Sequence, residues 1–308
     1  MIKGLAAAVF VILVWGITFV NTKALLAQFS ALEIHVLRIV LGYVALLAIG
    51  RFERFGRLLP LRDEALLFLM GLSGVAVYQL LENSAIHYTN ASNVSILVCM
   101  CPLLTAVVAR LVFRGRRLHP LFFLGFAIAI TGVVMVSMNG ISEFHFSPLG
   151  DVLAACAMLS WVVYSNLVTV MNEKGYSQVF VIRRMFFWAL VQMLPFVAYG
   201  MTDPGRAAMG GSFAIVLDAA ANARRFSSFL NYVNLGFLGL LASAACFVLW
   251  NRALAIIGTV RCTVGLYLLP AITVVFAYLF LGEVLTPVSA CGAVLILVGV
   301  ILSGWKKV

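Results

Sequence analysis

The feature that most constrains this fold is a series of ten apolar runs, each about 20 residues long and separated by short charged or turn-rich gaps. A helix of about 20 residues crosses the hydrocarbon core of a bilayer. The runs lack the polar–apolar alternation of barrel strands, so they predict transmembrane helices. The ten predicted spans cover residues 4–25, 31–50, 64–86, 91–112, 118–138, 148–171, 178–200, 230–253, 260–281 and 285–304.

Composition also predicts an all-α polytopic membrane protein. Of the 308 residues, 64% are apolar and 10% are charged, whereas soluble domains have about 25% charged residues. The net charge of +10 arises in the gaps between spans, where it indicates membrane orientation rather than nucleic-acid binding. The basic residues concentrate on one face, so we expect a multi-pass protein of the cytoplasmic (inner) membrane with both termini in the cytoplasm.

The two halves of the chain share a spaced pattern. Trp15 and Arg38 correspond to Trp161 and Arg184 at the same offset of 146. Because each half would contain five spans, an odd number, the second half would enter the membrane from the opposite face. Inverted repeats of this kind are typical of secondary transporters, although channels also use them.

Farther along the chain, the offset between the halves increases. From Asn83 and Asn251 onward it is 168, with seven identities in 29 aligned positions. The 22 extra residues fall in a long segment near 201–229, which we call the insertion. We therefore divide the chain into a first five-helix repeat, 1–145, and a second, inverted repeat, 146–308, that carries the insertion.

Each half has a proline in the middle of its fourth predicted helix, Pro102 and Pro270. A proline removes the hydrogen bond to the carbonyl four residues earlier. The carbonyls of Val98 and Leu266 are therefore expected to be free near the membrane midplane, where a substrate ammonium or hydroxyl could use them. The alternative is a packing kink in which neighbouring side chains satisfy these carbonyls.

Glu82 is the only carboxylate that falls well inside a predicted span. A charge in the membrane is costly, so Glu82 is expected to face a cavity, where it would bind a substrate amine or carry a coupling proton. Tyr78 and Gln79 lie one turn earlier on the same face. The alternative places Glu82 at the membrane interface. Asn83 is a further candidate for substrate binding, with a helix–helix hydrogen bond as its structural alternative.

Aromatic residues on other predicted helices complete the candidate binding site. Trp15 and Trp161 lie midway along the first helix of each half, and Tyr164 follows Trp161 by three residues. Tyr267 and Cys99 each lie three residues before the proline of a fourth helix. These residues would line a cavity for an amphipathic or aromatic solute; the alternative is packing or contact with lipid.

Two other sets of basic residues have simpler interpretations. Arg38 and Arg184 lie several residues inside predicted spans without an acidic partner one turn away, and are expected to extend to the interface. Arg224 and Arg225 belong to a mildly amphipathic stretch of the insertion, which is expected to lie along the outer membrane face as an interfacial helix, with an extracellular gate as the alternative.

The sequence offers little for catalysis. No Walker loop and no His-Glu-x-x-His or Gly-x-Ser-x-Gly pattern is found. The four histidines are scattered, and the six cysteines all lie within apolar runs. We therefore predict that the protein is not an enzyme and has no cofactor, metal site or disulfide framework.

Several motifs together resemble the drug/metabolite transporter superfamily, and within it the EamA-type ten-helix exporters. The residues concerned are Trp15-Gly16, Arg38, Glu82-Asn83-x-Ala85, Tyr88-Thr89-x-Ala91-Ser92, Pro102 and Leu279-Phe280-Leu281-Gly282-Glu283. In the first half, the position equivalent to Glu283 reads Arg114-Gly115-Arg116, so the family's acidic residue is absent there. The resemblance implies a central cavity between the halves, enclosed mainly by helices one, three, four, six, eight and nine.

The resemblance also implies alternating access and export of a solute, and the family exports amino acids, metabolites, nucleobase-like solutes and drugs. We therefore predict a carrier that exports small amphipathic metabolites, amino acids or related compounds, with protons as a candidate coupling ion. Its partners would be the substrate and the lipid bilayer, without nucleic acid, and it would be a monomer or weak homo-oligomer. The alternatives are a multidrug or hydrophobic-cation exporter and a channel-like protein without a transport cycle.

Overall fold

A computed structural model describes residues 1–50, 59–88, 94, 98, 100–112, 119–137, 148–281 and 286–304. The regular structure of these residues is helical throughout. In chain order the helices are α1 (Ile2–Leu26), α2 (Ala31–Ile49), α3 (Leu61–Tyr88), α4 (Cys101–Val112), α5 (Pro120–Ser137), α6 (Pro148–Asn172), α7 (Gln178–Gly200), α8 (Asp203–Ala207), α9 (Ala219–Phe226), α10 (Phe229–Ile257), α11 (Thr259–Val264), α12 (Leu269–Leu281) and α13 (Pro287–Gly304).

Six of these helices are long and apolar enough to cross a membrane, namely α1, α2, α3, α6, α7 and α10. They coincide with the first, second, third, sixth, seventh and eighth predicted spans, which confirms that the chain is an all-helical protein with several membrane-span candidates. Shorter apolar helices occupy the remaining predicted spans in the described part of the chain. The count of ten spans and the inverted relation of the halves stay predictions.

Both α3 and α10 contain a π-helical segment. In α3 it covers Leu72–Ala76, and in α10 it covers Phe237–Ala245. The offset of 168 aligns the first segment with residues 240–244, inside the second. Extra residues in a helical turn shift backbone carbonyls out of the regular hydrogen-bond ladder, and such segments are frequent at functional sites.

The chain around Pro270 corrects one expectation. A 3₁₀ segment, Gly265–Leu268, precedes α12, and the Leu269 N–H donates to the Leu266 carbonyl. The expectation of a free carbonyl at Leu266 is therefore wrong, because the tighter turn supplies a donor three residues on. Pro270 is the second residue of α12, where a proline fits the first turn. Pro102 is likewise the second residue of α4 as described, and the prediction for the Val98 carbonyl stays untested.

Two glycines bring α2 and α10 close together. A Cβ on Gly42 would lie 3.1 Å from the Gly239 carbonyl oxygen and 3.3 Å from the Ser243 Cβ. A Cβ on Gly239 would lie 3.2 Å from the Arg38 carbonyl oxygen. The small residues therefore allow the backbone approach that places Ser243 beside Arg38.

The insertion packs against the start of α2. Ser30 and Glu33 form a reciprocal capping box at this helix end. The Ser30 hydroxyl also donates to the Ala214 carbonyl at 2.6 Å, and the Val216 N–H donates to Glu33 Oε1 at 2.9 Å. Arg225 is buried, with a side chain that reaches Glu33. A buried carboxylate thus holds Arg225 against the bundle, and the location of its helix along the outer membrane face stays a prediction.

Candidate substrate cavity

A cavity lies where α1, α2, α3, α6 and α10 meet near the 3₁₀ segment before α12. About 460 Å³ of space between protein atoms lies within and in front of it, a value that includes open solvent. The polar lining residues are Thr18, Arg38, Tyr78, Gln79 and Glu82. The apolar lining residues are Trp15, Phe19, Val98, Trp161, Phe247, Leu266 and Leu269.

Aromatic side chains form one wall of the cavity. Trp15 and Trp161 meet edge to face, with ring centroids 5.4 Å apart. The ring centroids of Tyr78 and Trp161 are 4.8 Å apart, and those of Phe247 and Trp15 are 5.8 Å apart. The Trp15 indole N–H donates to the carbonyl of Ala242, within the π-helical segment of α10, at 3.0 Å. The residues that the sequence pattern paired, Trp15 and Trp161, thus lie in one wall.

Glu82 and Tyr78 are hydrogen-bonded. They lie one turn apart on α3, and the Tyr78 hydroxyl donates to Glu82 Oε1 at 2.5 Å. Glu82 is 9% exposed and lines the cavity together with Tyr78 and Gln79. The structure therefore brings these three predicted residues together, with the carboxylate held by a neutral donor. Tyr78 leaves the second carboxylate oxygen available to another donor.

Arg38 also lines this cavity, and its expected extension to the interface is wrong. The residue is 5% exposed, and its Nε donates to the Ser243 hydroxyl on α10 at 2.6 Å. By contrast, Arg184 remains partly exposed and its Nε donates to Glu64 Oε1 on α3 at 2.8 Å. Distant helices determine both positions, which is why the chain around each arginine did not indicate its partner.

Charges of opposite sign therefore face the same space. The Arg38 guanidinium and the Glu82 carboxylate interact electrostatically. Within the described part of the chain, no ion pair of 4 Å or less joins them, and no acceptor within hydrogen-bond distance meets the terminal nitrogens of Arg38. A buried charge normally requires a partner. This arrangement can therefore accept an anionic group at Arg38 and a cationic group at Glu82.

Other predicted binding residues lie outside this lining. Asn83 and Tyr267 are buried in the helix packing. The Tyr164 ring is tilted against that of Trp161, with ring centroids 4.9 Å apart, and the Tyr164 hydroxyl donates to Asn251 Oδ1 at 2.7 Å. Pro102 and Pro270 are also outside, although Leu266 and Leu269 line the cavity just before Pro270. Cys99 lies outside the described residues.

Sequence reasoning missed several members of the site. Arg38 was the largest omission, although its match with Arg184 was a usable signal. Phe19 lies one turn after Trp15 on α1, so the helical period could have identified it. The offset of 168 aligns Phe247 with Gln79, so the repeat was a usable signal for this residue. The described residues contain no cluster of three His, Cys, Asp or Glu side chains that could hold a metal.

The cavity is lined by residues of the first, third, fourth, sixth, eighth and ninth predicted spans, which are the helices that the family resemblance implies. Arg38 of α2 is an addition to that set. A model of the EamA-like transporter family matches residues 2–138 and again residues 148–305. The chain belongs to the EamA-like transporter family. The family is one of membrane transporters, and the two matches together span nearly the whole chain.

Two relatives of the chain have names that describe a transport activity. The chain is 26% identical to a "Probable terminal-alkyne amino-acid exporter" of Streptantibioticus cattleyicolor, with 97% of this chain and 93% of that protein covered. It is 25% identical to a "Probable amino-acid metabolite efflux pump" of Escherichia coli, with 97% and 95% covered. A solved crystal structure matches with a TM-score of 0.75 and 16% identity, over 98% of this chain and 97% of that one. The structural match shows the shared fold.

Proposed function

We propose that this EamA-like protein exports small amphipathic metabolites, amino acids or related compounds, across the cytoplasmic membrane. The observation that carries the proposal is the cavity in which the Glu82 carboxylate and an aromatic wall face the same space. A substrate ammonium would bind Glu82, and its apolar portion would contact Trp15 and Trp161. The names of the two exporters described above support the same substrate class.

Transport would proceed by alternating access between the repeats 1–145 and 146–308. The π-helical segments of α3 and α10 support this proposal, because they end two residues before the lining residues Tyr78 and Phe247 and offer positions where a helix can change its turn. Glu82 would contact the substrate or exchange the coupling proton, and Tyr78 would hold its carboxylate in place. Transport rather than catalysis is the activity we propose, because the matching family is one of transporters.

A hydrophobic-cation exporter is the second candidate. The Trp15–Trp161 wall and the Glu82 carboxylate would suit a lipophilic cation. The Arg38 guanidinium in the same cavity opposes it, because a second positive charge would be repelled in a low-dielectric space. Competition between amino acids and a lipophilic cation for transport separates the two candidates.

Efflux from liposomes tests the proposed function. Purified protein is reconstituted into liposomes loaded with a mixed pool of amino acids and metabolites, a pH gradient is imposed, and mass spectrometry identifies the compounds that leave. We expect selective loss of a few amino acids, and a smaller loss with Glu82→Gln. Saturable exchange separates a carrier from a channel. If the protein is folded and no compound leaves the liposomes, the proposal is refuted.

The proposed orientation needs its own test, with both termini in the cytoplasm and the insertion outside. Ala220 is an exposed position in α9, whereas Ser212 is buried and would label poorly. A single cysteine at Ala220, in a variant without the six native cysteines, is treated in intact cells with a membrane-impermeant maleimide. We expect labelling from outside; labelling only after the membrane is opened would reverse the orientation.

A further inference from the structure

We infer that Arg38 and Glu82 form a two-charge site that selects α-amino acids as zwitterions, with Arg38 binding the carboxylate and Glu82 the ammonium. This inference rests on the proposed function and specifies its substrate class. Both side chains line one cavity, and they are attached to neighbouring helices, α2 and α3. The site would take amino acids with apolar or aromatic side chains, because the facing wall contains Trp15 and Trp161.

The first step concerns the unused hydrogen-bonding capacity of Arg38. Of its nitrogens, Nε is bonded to the Ser243 hydroxyl at 2.6 Å. Within the described residues, the two terminal nitrogens have no acceptor. A guanidinium offers parallel N–H donors whose spacing matches the two oxygens of a carboxylate. Because Ser243 fixes the inner edge of the guanidinium, its outer donors are oriented before a ligand arrives.

The second step is a comparison with other arginines of the chain. The Arg225 guanidinium is paired with Glu33 and the Arg184 guanidinium with Glu64. Arg38 is as buried as Arg225, yet its hydrogen bond goes to a neutral hydroxyl. Burying a charge without a direct counter-charge is costly, by several kcal/mol for an ion in a protein interior. A ligand carboxylate would supply the missing partner.

The third step concerns the two carboxylate oxygens of Glu82. Oε1 accepts from Tyr78, and the described residues supply no donor to Oε2. An ammonium group carries three donors and fits beside an acceptor that is held in this way. An amine without a carboxylate would satisfy Glu82 and leave Arg38 unpaired, whereas a carboxylate without an amine would do the reverse. Only the zwitterion neutralises both charges, so the site would discriminate against either half of the ligand alone.

Three probes separate the two charges of the ligand. Phenylalanine has both groups, phenethylamine lacks the carboxylate, and 3-phenylpropionate lacks the ammonium. Initial uptake into proteoliposomes at fixed pH is measured for each probe with wild type, Arg38→Gln and Glu82→Gln. Quenching of tryptophan fluorescence reports binding separately, because Trp15 and Trp161 lie in the cavity wall.

We expect wild type to prefer phenylalanine over each single-charge probe by about tenfold or more, the value of one hydrogen bond to a charged group. Arg38→Gln should lower the ratio of phenylalanine to phenethylamine uptake by at least about tenfold. Glu82→Gln should lower the ratio of phenylalanine to 3-phenylpropionate by a similar factor. Arg38→Lys keeps the charge without the fork of donors, and should give an intermediate ratio if Arg38→Gln does not fold.

Arg184→Gln is the matched control. It removes the arginine that the sequence pattern pairs with Arg38, but one that is bound to Glu64. Its probe ratios should equal those of wild type. An unchanged phenylalanine-to-phenethylamine ratio in both Arg38 variants would overturn the inference.

The failure of this inference is distinguishable from failure of the proposed function. One outcome is that metabolites leave the mixed pool while the wild-type protein prefers phenethylamine over phenylalanine. This outcome would overturn the zwitterion site, but the proposed export function would stand. Efflux of other solutes together with no uptake or quenching by any of the three probes would do the same. A folded protein that moves neither the pool nor the probes would overturn both.

Discussion

The Glu33 carboxylate and the Arg225 guanidinium, 192 residues apart in sequence, form a bidentate ion pair with N–O distances of 2.8 and 2.7 Å. The pair joins the start of α2 to the insertion. Arg225 also covers the Phe29 ring, with its guanidinium carbon 4.6 Å from the ring centroid. Since Glu33 caps α2 as well, one side chain holds both the helix end and the insertion.

Glu33→Gln should therefore be strongly destabilising. The change leaves the buried Arg225 charge without its counter-charge, which costs about 3 kcal/mol or more. Thermal unfolding in detergent should show a lower melting temperature, and limited proteolysis should cut the insertion faster. Asp203→Asn is the control, because Asp203 is 98% exposed and 3.8 Å from Arg206. Equal melting temperatures for the two variants would contradict the prediction.

Tyr78→Phe tests the hydrogen bond that positions Glu82. The ring remains against Trp161, but the donor at 2.5 Å from Glu82 Oε1 is lost. We expect KM for the transported amino acid to rise about tenfold, because a hydrogen bond to a charged group contributes about 1.5–3 kcal/mol. Tyr199→Phe, at an exposed site, should leave transport kinetics unchanged. A wild-type KM in Tyr78→Phe would show that the bond does not support binding.

Ser243→Ala should affect transport through the position of Arg38. The hydroxyl bonded to Arg38 Nε disappears while the positive charge stays. We expect KM for phenylalanine to increase several-fold with little change in kcat, since ground-state binding is weakened. Ser227→Ala removes another hydroxyl, one that donates to the Arg224 carbonyl at 2.7 Å in the insertion and outside the cavity lining. The same KM change in both variants would indicate a general structural effect instead.

Gly42→Val should separate α2 from α10. The added side chain would meet the Gly239 carbonyl and the Ser243 Cβ, both closer to an added Cβ than ordinary van der Waals contact. Overpacking of this kind typically costs about 1–3 kcal/mol. Gly236→Ala, where nothing lies within 4 Å of the added Cβ, is the control for a glycine in α10. Melting temperatures of the two variants measure the difference, and a neutral Gly42→Val would show that the helices can part at no cost.

Tyr164→Phe tests whether Tyr164 acts on the substrate or on the fold. Its hydroxyl donates to Asn251 Oδ1, and both residues are fully enclosed. Removing the donor leaves a buried acceptor unsatisfied, at a cost of about 1–3 kcal/mol. We expect a lower melting temperature and unchanged ratios among the three phenylalanine-related probes. Changed ratios at wild-type stability would instead support the substrate-binding role predicted from the sequence.

Local sequence was sufficient for the elements of the fold that depend on local properties. The apolar runs predicted α1, α2, α3, α6, α7 and α10, because length and hydropathy alone decide whether a helix can cross a bilayer. The spacing of Tyr78, Gln79 and Glu82 predicted their common face, since the helical period fixes which side chains are neighbours. The motifs also indicated the family to which the chain belongs.

Tertiary structure decided the contacts whose partners lie far away in the chain. Arg38 meets Ser243, 205 residues later, and Arg225 meets Glu33, so neither burial could be read from neighbouring residues. The Leu266 carbonyl is satisfied by a 3₁₀ turn that the proline pattern does not specify. Helical periodicity determines which residues share a face of one helix, but only the packing of several helices determines which charges meet across a cavity. The sequence therefore determined the membrane helices and which side chains share a helix face with Glu82. Only the tertiary structure placed Arg38 in the same cavity as Glu82.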